Sequence, residues 1–132
     1  MSNPSSAPFE LITDTTALHQ WCDHARDASF VALDTEFERS RTYFARLCLV
    51  QLASDKKIAV IDPLSELDSD LLIDYLVGSG AEKIIHAARQ DLEVLYFAGM
   101  HKVDNLFDTQ IAAALCGFAD QIGYAELVQS LL

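Results

Sequence analysis

Residues 31–37, Val31-Ala32-Leu33-Asp34-Thr35-Glu36-Phe37, begin as an apolar strand and end in two carboxylates. A strand turns alternate side chains to one face, so Asp34 and Glu36 share a face with Cα atoms roughly 6–7 Å apart. Two like charges at the end of a strand that reads as buried are costly unless something positive lies between them. A bound divalent cation is the simplest such partner. Two acids at a strand end, one of them paired with a nearby arginine, fit the same residues, and the pair alone does not separate the two readings.

The rest of the chain supplies a mixed α/β pattern around that strand. Phe9–Thr13 reads as a short edge strand, and Asp14 or Thr15 caps a helix on which Leu18, Trp21, Cys22 and Ala25 recur at i, i+3, i+4, i+7. The acid-ended strand covers about residues 29–38. Leu47–Leu52 is a second strand, Ser54-Asp55-Lys56 a turn, and Lys57–Asp62 a third strand. Short links predict an antiparallel meander, and near-continuous apolar character predicts burial on both faces. After Pro63, Leu67, Leu71, Leu72, Tyr75 and Leu76 mark a helix that Gly78 and Gly80 stop. Lys83–His86 is a short strand. Ala88, Leu92, Leu95 and Tyr96 mark the next helix, and Val103–Phe107 is a brief strand or extended link. Asp108 or Thr109 caps a helix that closes at Gly117, and Tyr124, Leu127, Val128 and Leu131 begin a last one. A three-strand antiparallel meander followed by α-β-α-β-α predicts a mixed sheet with helices on both faces.

At 132 residues the chain is one domain, and 51% hydrophobic residues suffice for its core. Residues 1–8 read as a flexible polar leader without the basic and apolar regions of a signal peptide. No run of about 18 apolar residues predicts a membrane span. Cys22, Cys48 and Cys116 are widely spaced among apolar residues and read as reduced core thiols, which points to the cytoplasm. A net charge of −11 argues against non-specific polyanion binding, although Arg39, Arg41 and Arg46 follow the acidic pair. It leaves room for an enzyme whose site is neutralised by metal. The end at Leu131-Leu132, on a helix stripe, reads as an N-terminal piece of something longer. Apolar surface near Leu127, Leu131 and Leu132 then predicts self-association or a disordered C-terminus.

Asp91 is the third carboxylate of interest. It lies in the first turn of its helix, where acids suit the dipole, yet it sits beside the apolar stripe. If the strand before it neighbours the acid-ended strand, Asp91 points at the same end as Asp34 and Glu36. Two other chemistries fit poorly. An aspartic protease needs Asp-Thr-Gly, and Glu36 stands in place of that glycine; a haloacid dehalogenase-type phosphatase needs Asp-x-Asp, and the second acid is glutamate. His86 reads as a structural histidine, because hard ions prefer oxygen. Asp108 reads as a helix N-cap. Phe37 serves equally as a base-stacking surface or as core. Arg39 and Arg41 serve equally as phosphate contacts or as loop charges. Trp21 and Tyr96 read as core.

Asp34-Thr35-Glu36-Phe37, followed by Arg39, Thr42-Tyr43 and the Leu47-Leu49-Gln51-Leu52 strand, resembles the first exonuclease motif of the ribonuclease D family. His86-Ala87-Ala88-Arg89-Gln90-Asp91-Leu92-Glu93 resembles its second motif, and Leu106-Phe107-Asp108-Thr109-Gln110-Ile111-Ala112-Ala113 the Asp-Thr helix start between the later motifs. The resemblance covers residues 9–132. It implies a ribonuclease H-like fold and 3′→5′ exoribonuclease activity that trims structured RNA, notably tRNA precursors, and releases nucleoside 5′-monophosphates. It implies two Mg²⁺ or Mn²⁺ ions held by four carboxylates, three of which are Asp34, Glu36 and Asp91. Thr35, Phe37, Arg39 and Arg41 are then candidates for contacting the RNA 3′ end. The fourth carboxylate belongs to a Tyr-x-x-x-Asp motif, and Tyr124 is followed four residues later by Val128. In the family that motif and the helical RNA-binding domains come after the point where these residues stop. This predicts a partial exonuclease domain, truncated before the last catalytic helix, that binds metal weakly and cleaves poorly or not at all. A non-catalytic nucleic-acid-binding or interaction module on the same scaffold is the alternative, and a DNA-directed exonuclease of the same superfamily is another.

Overall fold

A computed structural model describes residues 8–40, 43–55 and 57–132. Its elements in chain order are β1 (Phe9–Ile12), α1 (Thr15–His24), β2 (Phe30–Glu38), β3 (Arg46–Ala53), β4 (Ile58–Ile61), α2 (Ser69–Gly78), β5 (Glu82–Ile85), α3 (Arg89–Phe97), β6 (Leu106–Asp108), α4 (Thr109–Leu115) and α5 (Tyr124–Leu131). The strands form one sheet in the order β1-β4-β3-β2-β5-β6. The meander is present, since β2, β3 and β4 pair antiparallel. β1 joins β4 in parallel, and β5 pairs in parallel with both β2 and β6. The acid-ended strand is therefore internal, with β3 on one side and β5 on the other.

The core lies on one face of this sheet. Val31 and Leu33 of β2, Val50 and Leu52 of β3, and Ala59 and Ile61 of β4 pack there with Leu18, Trp21 and Cys22 of α1, Leu72 and Leu76 of α2, and Leu95 of α3. The alternation of β2 selects that face: Val31, Leu33 and Thr35 are buried, while Asp34 and Glu36 between and beyond them are exposed. The helices start where the sequence places polar caps. Asp14 accepts from the Ala17 N–H at 2.9 Å, and Asp68 from Asp70 at 3.1 Å. Trp21 meets Tyr75 edge to face, with ring centres 5.6 Å apart, and closes the seam between α1 and α2.

The structure corrects three expectations. The meander is not buried on both faces. α1, α2 and α3 cover one face, and Gln51 and Ile58 stay exposed on the other. Thr109 and Tyr124 line a groove with Ala32 and Ile84 on that second face. Tyr96 is 52% exposed rather than core, because α3 turns Val94 and Leu95 inward instead. Cys116, at the C-terminal end of α4, is exposed, and only Cys22 of the three thiols is fully buried. Burial pushes the Cys22 thiol up to about 11, which keeps it unreactive. Arg41, Thr42 and Lys56 lie outside the described residues. No helix among the described residues is long and apolar enough to cross a membrane. α5 is helical through Leu131, with Leu127 buried and Leu131 exposed.

Candidate functional site

β2 outruns its neighbour β5. The β2–β5 ladder ends at the Ala32–Ile84 pair, whereas β2 continues beside β3 to Glu38. Beyond Ala32, the β5 side of β2 therefore offers backbone groups with no strand to bond them. α3 fills that side. The Asp91 carboxylate oxygen Oδ1 accepts from the Thr35 backbone N–H at 3.0 Å and from the Thr35 hydroxyl at 2.6 Å. Thr35 and Asp91 are 6% and 7% exposed, so both bonds form in a largely dry setting and fix α3 against the strand.

Asp91 is electrostatically under-compensated despite those bonds. Burial pushes its carboxyl up, the two Thr35 donors pull it down, and the charge of Asp34 pushes it up again, with a net rise. Asp34 and Asp91 therefore feel each other, as the strand–helix order predicted. Among the described residues no lysine or arginine pairs with Asp34, Glu36 or Asp91. Glu36 follows Asp34 on the same face, next to a register shift between Glu36 and Phe37 that bends the strand end. Among the described residues no three carboxylates, imidazoles or thiols converge tightly enough to cage a metal. The donor chemistry nevertheless suits a hard cation: the groups gathered at this strand end are carboxylates, and one is buried without a cation of its own.

The other predicted residues divide. Thr35 faces the helix side and is engaged with Asp91 rather than turned outward. Phe37 is half-buried, with the Arg39 guanidinium 5.4 Å from its ring centre. Arg39 also pairs with Glu93 of α3 at 3.2 Å. Arg41 lies outside the described residues. His86 has the structural role expected of it. Its Nδ1 lies 2.9 Å from the Thr109 hydroxyl and its Nε2 2.8 Å from the Ile122 carbonyl. A carbonyl only accepts, so Nε2 carries a proton.

Two neighbours of Asp34 were missed from sequence. Gln51 stands directly opposite Asp34 on β3, and Tyr124 reaches the same groove, about 370 Å³ in volume, from the start of α5. Gln51 had a signal, being the one polar residue in the apolar run Leu47–Leu52. Tyr124 had none, because it lies 90 residues from Asp34 and only the fold joins them.

A family model for 3′–5′ exonucleases matches residues 9–132. The chain is 45% identical over 122 residues to ribonuclease D of Bartonella henselae, covering 92% of this chain and 30% of that protein. It is 46% identical over 125 residues to ribonuclease D of a Jannaschia species, covering 91% and 32%. The crystal structure of Escherichia coli ribonuclease D, described as an exoribonuclease involved in structured RNA processing, superposes with a TM-score of 0.87 at 38% identity, over 94% of this chain and 33% of that one. The chain thus spans about a third of the length of these relatives. The exonuclease family depends on divalent metal, and the carboxylates at this strand end are ligands of the kind hard divalent ions take. With residues 9–132 matched by that family model, the chain belongs to the 3′–5′ exonuclease family.

Proposed function

We propose that residues 9–132 are a partial exonuclease domain that contributes the metal-binding strand end of a ribonuclease D-type 3′→5′ exoribonuclease. The observation that carries this reading is the pair of bonds from Thr35 to Asp91, which holds a buried carboxylate beside Asp34 at the open end of β2. Asp34, Glu36 and Asp91 would hold Mg²⁺ or Mn²⁺, two ions in the complete domain. Bound there, such ions would supply Lewis-acid stabilisation for hydrolysis of a phosphodiester. Thr35 fixes Asp91. Phe37 offers a ring to the terminal base, and Arg39 and Arg41 offer positive charge to the phosphates. The substrates are RNA 3′ ends, with tRNA precursors as the natural class, and the site of action is the cytoplasm.

The 132 residues contain no Tyr-x-x-x-Asp, so they hold three of the family's four carboxylates. On this reading they bind metal weakly, trim RNA poorly or not at all, and self-associate through the apolar surface at Leu131 and Leu132. Isothermal titration with Mn²⁺ tests the site. Saturable binding that disappears in Asp34→Ala supports it, and binding unchanged in Asp34→Ala overturns it. Processive 3′ trimming by these 132 residues, abolished by Asp34→Ala, would show the weak-activity part to be wrong. The absence of a three-donor cage among the described residues favours the second reading, a non-catalytic RNA-binding module. RNA affinity that ignores added metal, together with no Mn²⁺ binding, would establish that reading instead.

A further inference from the structure

α3 begins without a cap of its own. Its N-cap residue is Ala88, which has no side-chain acceptor to offer. Asp91 sits three residues later, so the direction in which α3 starts decides where that carboxylate lands. An acceptor for the two residues just before the helix arrives from elsewhere in the chain. Asp108, at the end of β6, accepts from the Ala88 N–H at 2.9 Å and from the Ala87 N–H at 3.1 Å. The same carboxylate caps its own helix by accepting from the N–H groups of Gln110 at 2.8 Å and Ile111 at 3.4 Å. The caps of α1 and α2 differ in kind: Asp14 and Asp68 each bond within three residues of themselves.

We infer that Asp108 is a positioning residue for Asp91: by holding the Ala87 and Ala88 amides from the neighbouring strand β6, it fixes how α3 starts and so where the Asp91 carboxylate meets Thr35 and Asp34. Three observations support this beyond the bonds themselves. Ala87 is held at φ 57, a left-handed conformation that costs a residue with a Cβ and persists only where its surroundings impose it. Asp108 bonds the amide of that residue and of the next, and so supplies the constraint. His86, the residue before, is fastened to Thr109 and Ile122, so the β5–α3 turn is tied to the β6–α4 junction through two different side chains. Burial alone would raise the Asp108 carboxyl, yet its four N–H donors hold it below the usual carboxylate range, so it is charged and saturated with donors. The inference rests on the proposed role of Asp91 in holding metal, but its structural half is measured without metal.

The test uses Asp108→Ser and Asp108→Asn in the 132-residue chain, with Asp14→Ala as a control. Serine still caps α4, because it is as good an N-cap as aspartate, but its single short oxygen does not span to Ala87 and Ala88. Asparagine keeps one oxygen and turns an amide group toward an N–H donor. The first readout is amide hydrogen exchange of Thr35 relative to Val31 and Leu33 in metal-free protein. The second is the Kd for Mn²⁺. Thr35 protection is expected to fall at least about tenfold relative to Val31 in both Asp108 variants, and the Mn²⁺ Kd to rise about 10–100-fold, the range for residues that orient a metal ligand. Asp14→Ala is expected to lower stability while moving neither quantity.

If Thr35 loses protection only in step with Val31 and the Mn²⁺ Kd is unchanged, Asp108 is merely a cap and the inference fails. If one Asp108 variant does not fold, the other carries the comparison. If neither folds, the amides of Ala87, Ala88 and Thr35 in the wild type decide: opening together, ahead of the core, supports the coupling, and independent opening overturns it. A wild type that binds no Mn²⁺ sinks the metal reading, while a selective loss of Thr35 protection still supports Asp108 as the brace.

Discussion

The ends of β2 and β6 both finish in carboxylates, and the fold treats them in opposite ways. At the end of β6, Asp108 receives four backbone N–H groups and is held below its ordinary pKa. At the end of β2, Asp34 and Glu36 are open to solvent, and Asp91 beside them is raised by burial and by Asp34. A carboxylate saturated with donors is a structural clamp, because nothing is left for a ligand to compensate. A group of carboxylates short of donors is unstable by itself and is relieved by a cation. The first turn of α3 lies between the two regions, with Ala88 bonded to Asp108 and Asp91 bonded to Thr35.

The largest effect belongs to Asp34. In a full-length protein carrying this domain, Asp34→Ala should lower kcat on an RNA 3′ end by about 10³-fold, the scale on which preorganised electrostatic groups act. KM should change much less. Asp108→Ala should instead leave residual activity within about 10–100-fold of wild type. Equal losses for the two would erase the distinction between a ligand and a brace. Comparing RNA with DNA 3′ ends in the same assay separates an exoribonuclease from a DNA-directed relative.

Asp91 sharpens the comparison through stability. Asp91→Ala strands the buried Thr35 N–H, which costs about 1–3 kcal/mol, and urea unfolding at neutral pH should show that loss. Asp91→Asn keeps an oxygen for both Thr35 donors and removes the charge, so the metal-free protein should become more stable and lose any stabilisation by Mn²⁺. Destabilisation of metal-free protein by Asp91→Asn would mean that the carboxylate is already compensated.

The two regions should also titrate with opposite sign. The folded Asp91 carboxyl lies above its unfolded value, so its stabilising contribution is complete below about pH 4 and disappears as pH rises through the folded value. The folded Asp108 carboxyl lies below its unfolded value, so its contribution is present above about pH 4 and disappears as pH falls through the folded value. Metal-free stability profiles of Asp91→Asn and Asp108→Asn should accordingly flatten on the higher-pH and the acid side respectively. Chelation of metal at neutral pH should mimic the ionisation of Asp91 and leave the Asp108 limb untouched. Flattening of the same limb in both variants would contradict the assignment.

The sequence was informative wherever the signal was local. The alternation of β2 put Asp34 and Glu36 on one face, polar residues marked the caps at Asp14 and Asp108, and Asp91 could be aimed at the right end once its strand was placed beside β2. Thr35 was harder to read. Alternation turns it away from Asp34 and Glu36, so it looks unconnected with them, yet Asp91 arrives from that other side and takes both its hydroxyl and its N–H. The Asp108 bonds to Ala87 and Ala88 had no local signature, because they join residues 21 and 20 apart that the parallel β5–β6 pairing brings together. Tyr96 followed the helical stripe in sequence and still ended exposed, since a helix of nine residues buries only the arc that meets the sheet.

The smallest effect tests how the solvent-exposed side of the β2 end is divided between structure and substrate. Arg39 is shared between Glu93 and the ring of Phe37, and its ion pair is nearly half exposed on both sides. Such a pair contributes no more than about 1 kcal/mol, so Arg39→Gln should shift the unfolding midpoint slightly and Glu93→Gln equally slightly. The two substitutions should part company on RNA. If Arg39 meets a phosphate, Arg39→Gln lowers the slope of log affinity against log salt by about one in the full-length protein, and Glu93→Gln, which frees the guanidinium, leaves the slope intact. An unchanged slope in Arg39→Gln would assign the residue to Glu93 and Phe37 alone. Contact with the RNA backbone would then fall to Arg46, Arg89 and Arg41.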